Sequence, residues 1–405
     1  MSFLPTLKSF KHTRIACYLC FIVQAIVINF APILFVTFSG AYDIPLAQMT
    51  FLIIANFSCQ FVIDSVSAAL SARLNYRAMA VAANFFSAAG LVCLGILPSV
   101  FDNAYLGIVI SVLVSAVGGG LIEVIANPIM QSCPKENSFE SMGLLHSFYC
   151  WGHLFVVTAS TLFLLVSDNW QLLSCVWALF PLFNGVYFLM VPINQPSVEQ
   201  ERDSSLGKLV KSKMFWLFII IMLLGGACEQ GMAQWASAFA ELALLERVAS
   251  AETAKLLGDL MGPCSFALMM GICRIIYPKL CAKYNLRKLM IASSGLCAAC
   301  YLVAALSQNP FISLIGCGLC GFSVGIMWPG ALDLAAMSCS FVGTALFAMM
   351  SLAGDIGCMF GPTAVGLAAQ VIGNGALKVG MLISSAIPIC LVIVLLCFRS
   401  ENKRI

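Results

Sequence analysis

Glu123 stands inside an otherwise apolar run, Leu-Ile-Glu-Val-Ile-Ala-Asn-Pro-Ile (121–129), with Asn127 one helical turn along on the same face. An acid surrounded by so much hydrocarbon can load and release a proton near neutral pH. Its carboxylate can also accept hydrogen bonds from sugar hydroxyls. Glu229 occupies a similar place beside Gln230 and Gln234, which share a face by their four-residue spacing, and Trp235 adds a flat ring. Uncharged, hydroxyl-rich molecules need several amide or carboxylate partners and a ring to cover their CH face. His146 and His153 project from one side of a third run, seven residues apart, and His153 can titrate as a proton relay. About 10 Å of helix rise between them argues against a shared metal, and no metal site is expected. Asp355 lies between glycines in Leu-Ala-Gly-Asp-Ile-Gly (352–357), where close helix approach is possible, and Trp328 precedes a proline. Each of these groups also has a plain alternative, a hydrogen bond or packing contact between helices.

The elements that must hold these residues are membrane-spanning helices. Of 405 residues 61% are apolar, and only 39 are charged, 21 Lys and Arg with 18 Asp and Glu. A soluble chain is usually nearer a quarter charged. Apolar runs fall at about 15–38, 47–70, 78–97, 105–131, 143–166 and 171–192, and again at about 215–240, 258–278, 289–306, 311–337, 343–369 and 377–398. Each is long enough to cross a hydrocarbon core about 30 Å thick. Turn residues separate them: Asp43 and Pro45, Asp102 and Asn103, Asp168 and Asn169, Asn309 and Pro310. The 19 cysteines lie almost entirely within these runs and are expected as packing thiols. A charge of +3 without a basic, aromatic-rich cluster excludes nucleic acid as a partner.

With both termini placed in the cytoplasm, seventeen of the 21 basic residues fall on the inside. Three, Arg247, Lys255 and Lys378, fall outside, and Arg274 sits at a helix end. The positive-inside rule therefore predicts twelve spans with both ends cytoplasmic. The polar stretch 194–213 is expected as a cytoplasmic linker between an N-terminal six-helix bundle (1–193) and a C-terminal one (214–405). The halves also repeat. Ala72-Arg-Leu-Asn-Tyr-Arg77 recurs as Ala282-Lys-Tyr-Asn-Leu-Arg287, and Gly120 with Pro128 recurs as Gly321 with Pro329. Parallel repeats of this kind place substrate sites near the membrane midplane between two bundles. Asp64 and Arg274, repeat counterparts near the cytoplasmic ends of their spans, are expected with Arg73, Arg77, Lys283 and Arg287 in a charge latch that must break when the cavity opens inward.

These residues carry a resemblance to the major facilitator superfamily over essentially the whole chain. The loop 72–77 resembles the family's Asp-Arg-x-Gly-x-Arg signature, with Ala72 in place of the acid and Asn75 in place of the glycine. Glu123-Val-Ile-Ala-Asn-Pro128 resembles the fourth-helix pattern of fucose permease and related sugar:proton symporters. Gly226-Ala-Cys-Glu229 with Trp235 resembles their seventh-helix pattern, and Met327-Trp-Pro329 their tenth. Where such a relative places a second acid, the first span here offers Gln24 and Asn29. The resemblance implies an all-α fold of twelve transmembrane helices.

No nucleophile–base pair and no phosphate-binding Gly-Lys-Ser/Thr loop occurs, which argues against an enzyme or an ATP-driven pump, and no cofactor is expected. The expected function is secondary transport of a small polar solute, most simply a monosaccharide, with proton symport through Glu123, His153 or Glu229. Gln24, Asn29, Asn127, Gln230, Gln234, Trp235, Trp328 and Asp355 are the substrate-binding candidates. An exporter of lipophilic drugs in exchange for protons is the alternative, since 29 Phe and 19 Met could line an apolar cavity. The protein is expected in the plasma membrane as a functional monomer, its partners being the solute, protons and lipid.

Overall fold

The computed structural model describes residues 9–70, 75–134, 138–194, 210–245, 247–338, 344–372 and 376–397. All regular structure among them is helical, and twelve helical segments are long and apolar enough to span a membrane. Spans one to six are Phe10–Ile33, Leu46–Ser67, Tyr76–Val100, Ala104–Ser132, Leu144–Val166 and Trp170–Met190. Spans seven to twelve are Lys213–Leu244, Ala251–Lys283, Leu286–Leu306, Pro310–Ser338, Ala348–Val371 and Leu377–Cys397.

The turn residues do the expected local work. Asn103, Asn169 and Asn309 each cap a helix N-terminus, their side-chain oxygens accepting from the backbone N–H of Leu106, Leu172 and Phe311 at 3.2, 2.8 and 3.0 Å. Asp43 takes the left-handed conformation (φ 52°) that ends the short helix Phe35–Tyr42, a place a short polar side chain tolerates. Two spans are interrupted about one turn before a proline, because the ring removes the hydrogen bond to the residue four back. Span ten breaks after Val324, ahead of Pro329, and span twelve after Ser384, ahead of Pro388. Span eight passes through a π-helical turn, Leu260–Cys264, which contains Pro263.

Contacts divide the chain into two units, residues 1–44 with 55–197, and residues 45–54 with 198–405. The first turns of span two therefore group with the second unit, where Thr50 and the Trp235 ring fill the space beside Gly366. Most of the expected linker, residues 195–209, lies outside the described residues. Within the first unit spans three and four cross tightly: a Cβ on Gly90 would meet the Ser115 backbone, and one on Gly118 that of Ser87. The repeated glycines have equivalent jobs in the two units. Gly120 closes the crossing of span four on Ile63 of span two, and Gly321 closes that of span ten on Phe266 of span eight.

The repeated loop is equally symmetric in use. Asn75 and Asn285 cap spans three and nine, accepting from Ala78 N–H at 3.1 Å and Lys288 N–H at 3.0 Å. Asn75 thus does capping work where the family signature has glycine. Arg77 donates to the carbonyls of Phe188 and Leu189 at 2.8 and 3.0 Å, and Arg287 to those of Leu395 and Leu396, both at 2.8 Å. Each guanidinium thereby satisfies the open carbonyls at the C-terminus of the last span in its own unit.

Candidate functional site

Each unit carries its own set of buried polar groups. In the first, Gly119 and Gly120 let span four approach span two. A Cβ on Gly119 would lie 3.3 Å from the Gln60 side chain, and one on Gly120 would lie 3.1 Å from Asp64 Oδ1. One turn further along, this approach brings Asp64 to Glu123, with carboxylate oxygens within 4.8 Å of each other. Gln24 of span one donates from Nε2 to Glu123 Oε2 at 2.9 Å. Asn127 follows on the same helix face, and among the described residues its Oδ1 has no hydrogen-bond donor although it is sealed from solvent. Three spans thus supply two acids and two amides.

Asn29 does different work. Its amide donates to the Ala25 carbonyl at 2.9 Å and to Tyr149 Oη at 3.3 Å, tying span one to span five. His153 is buried, with the Tyr149 ring 6.4 Å away between centroids. His146 meets the edge of Phe21 at 5.1 Å. Tyr149 was not among the sequence candidates. Its spacing is the signal that could have found it: three residues after His146 and four before His153, it shares their stripe. A small cleft elsewhere in this unit, lined by Val27, Phe30, Leu91 and Ser115 among others, contains none of the predicted residues.

The second unit is built around an ion pair. Arg274 Nη2 of span eight lies 3.3 Å from Glu229 Oε2 of span seven, and both side chains are more than 90% buried. Gln230 Nε2 donates to Glu229 Oε1 at 3.4 Å, and Gln234 Nε2 to Gln230 Oε1 at 3.0 Å. The carboxylate and both amides therefore form one chain along span seven. The Trp328 ring lies across Gly354, the residue before Asp355, so that these two candidates are neighbours. Gly357 and Gly361 continue the same face of span eleven onto the backbone of Leu223 and Ala227, which fixes span eleven against span seven.

Trp235 is 1% exposed, with its indole N–H donated to the Pro362 carbonyl at 2.9 Å and its ring packed on Gly366. Among the residues expected in the latch, Arg274 pairs with Glu229 and Asp64 lies beside Glu123. Arg77 and Arg287 cap helix ends, and Lys283 sits 5.3 Å from the Tyr284 ring, while Arg73 lies outside the described residues.

The model of the Major Facilitator Superfamily matches residues 17–362. Among solved structures the chain is similar to the E. coli fucose:proton symporter, at 16% identity over 96% of this chain and 99% of that one, with a TM-score of 0.67. It is similar to a D-xylose-proton symporter at 13% identity over 98% and 99% of the two chains, with a TM-score of 0.73. A nucleoside transporter matches at 13% identity over 95% and 98%, again with a TM-score of 0.73. No curated protein matches the sequence significantly. At these identities the solved structures speak for the fold alone, whereas the family match covers most of the chain. The chain belongs to the Major Facilitator Superfamily of membrane transporters.

Proposed function

We propose that this transporter moves a monosaccharide or a closely similar hydroxyl-rich, uncharged solute by alternating access, with a proton carried alongside it. The observation that carries the reading is the set around Glu123: a carboxylate held by Gln24 at 2.9 Å, a second acid within 4.8 Å, and the unfilled Asn127 oxygen one turn away. Amides and carboxylates of this kind hydrogen-bond hydroxyl groups without requiring charge on the solute. The Gln230–Gln234 run and the Trp328 ring offer the second unit's share of amides and aromatic surface. Two of the similar structures are named as sugar:proton symporters, which supports the same class.

For the proton, Glu123 is a better carrier than Glu229. Arg274 balances the charge of Glu229 locally, whereas Glu123 shares its surroundings with Asp64. His153 is the second candidate. The distribution of basic residues supports an orientation with both termini cytoplasmic.

The test is uptake of labelled monosaccharides into proteoliposomes, with and without an inward proton gradient. A proton gradient should drive accumulation in the unmodified protein. Glu123→Gln should still exchange solute at equal concentrations and lose uphill accumulation, because exchange does not require the proton to be discharged. Normal accumulation by Glu123→Gln would remove Glu123 from the coupling step. Absence of uptake for every hydroxyl-rich solute tried would sink the substrate class.

A further inference from the structure

Gln60 precedes Asp64 by one helical turn on the same face of span two and is 2% exposed. A glutamine so buried is ordinarily hydrogen-bonded, because an amide in an apolar interior has given up its bonds to water. Gln60 Nε2 is sealed from solvent and has no acceptor among the described residues. The neighbour across the helix crossing explains why. A Cβ built on Gly119 of span four would lie 3.3, 3.4 and 3.5 Å from Gln60 Cδ, Nε2 and Oε1. Near-equal distances to the three atoms mean that Gly119 meets the flat face of the amide. The amide hydrogens lie in the plane of that group, so they run along the crossing and do not point into span four.

The same crossing sets the order of the other polar groups in this unit. Gly119 lies one turn before Glu123 and two turns before Asn127 on span four, about 6 and 12 Å of helix rise. The Gln60 amide, the Asp64 and Glu123 carboxylates and the Asn127 amide therefore follow one another along spans two and four. The ends of this row carry complementary unmet groups, a donor at Gln60 Nε2 and an acceptor at Asn127 Oδ1. Packing alone does not call for them. An apolar side chain of similar size would fill either position without the penalty of an unmet hydrogen bond.

We propose that Gln60 is a specificity-determining residue of the transport site, its Nε2 donating a hydrogen bond to one hydroxyl oxygen of the solute. The inference rests on the reading of the groups around Glu123 as a site for a hydroxyl-rich, uncharged solute. It extends that site by one helical turn along span two, past the acid pair. A buried amide that donates to one hydroxyl rejects a solute lacking it, because the donor is then left unmet. Gln60 thereby distinguishes sugars that differ at a single position.

Two measurements on the full-length protein in detergent test this, one without solute and one with it. Without solute, Gln60→Met and Gln60→Leu replace an unmet amide by an apolar chain, so the midpoint of unfolding by SDS should rise. A lowered midpoint in both variants, or failure of both to fold, means that the amide is bonded inside the protein and overturns the proposal whatever the solute. With solute, equilibrium dialysis measures binding of D-glucose, D-galactose, D-mannose, D-ribose and myo-inositol, and then of the monodeoxy analogues of the tightest binder. Gln60→Met should weaken binding of that parent compound about two- to tenfold. One monodeoxy analogue, the one without the hydroxyl that Gln60 meets, should bind the variant and the unmodified protein equally. Every other analogue should keep the deficit. An equal deficit across all analogues marks a structural effect and overturns the role of Gln60, as does no deficit for the parent, and either result leaves the substrate class standing. Binding of none of these compounds by the unmodified protein overturns the substrate class and this proposal with it.

Discussion

Replacing Arg274 by methionine removes the cation from the Glu229 pair while keeping most of the aliphatic volume. At 3.3 Å and an effective dielectric constant of about 20, two unit charges attract by about 5 kcal/mol. Desolvation of both ions offsets much of that. Deleting one partner is another matter, because it strands the other as a buried, unpaired charge at a cost of about 3–5 kcal/mol. Arg274→Met should therefore lower the unfolding free energy by about 3–5 kcal/mol. Glu229→Gln should cost a comparable amount, since it strands the guanidinium instead. The double variant leaves no buried ion of the pair, and its cost should fall well below the sum of the two single changes. The double-mutant cycle also separates this pair from the other contacts of Arg274. Unfolding of detergent-purified protein by graded addition of SDS, followed through tryptophan fluorescence, gives the four free energies. If the two single costs simply add, the ion pair does not hold spans seven and eight together, and the assignment of Arg274 to this site is wrong.

The crossing of spans seven and eleven should be intolerant of side-chain volume. Gly357→Ala and Gly361→Ala force a methyl group onto the Leu223 and Ala227 carbonyls and should each cost about 1–3 kcal/mol. Gly295→Ala in span nine, where nothing lies within 4 Å, should leave the melting temperature in detergent unchanged or raise it. For the proposed solute, Gln230→Ala and Trp328→Ala should each weaken binding about two- to tenfold in equilibrium dialysis, the loss of about 0.5–1.5 kcal/mol per neutral hydrogen bond or ring contact. Unchanged affinity in both would place the site elsewhere. Cysteines introduced into residues 194–213 should react with an impermeant maleimide only after cells are opened; labelling of intact cells would reverse the orientation.

The twelve spans were legible in the sequence, because in lipid every backbone polar group must be satisfied within a helix and the apolar run itself marks the segment. The turns were legible for a related reason: asparagine caps act on the backbone two or three residues away, as at Asn103 and Asn309. The repeat announced itself through Gly120 and Gly321, whose small size is required at equivalent crossings. Partnership was a different kind of information. Glu123 and Glu229 stood out equally as acids in hydrocarbon, but whether an acid meets a cation or another acid depends on which residue of a distant span lies opposite. The structure puts Arg274 beside Glu229 and Asp64 beside Glu123. Trp235 shows the same limit, since its packing on Gly366 and its N–H bond to the Pro362 carbonyl depend on where span eleven lies. Lys255 was countable only as a loop cation, because its role depends on Glu241 and Asp259 being folded around it from two helices. Helical periodicity fixes which residues share a face; only the packing of faces decides what each side chain meets.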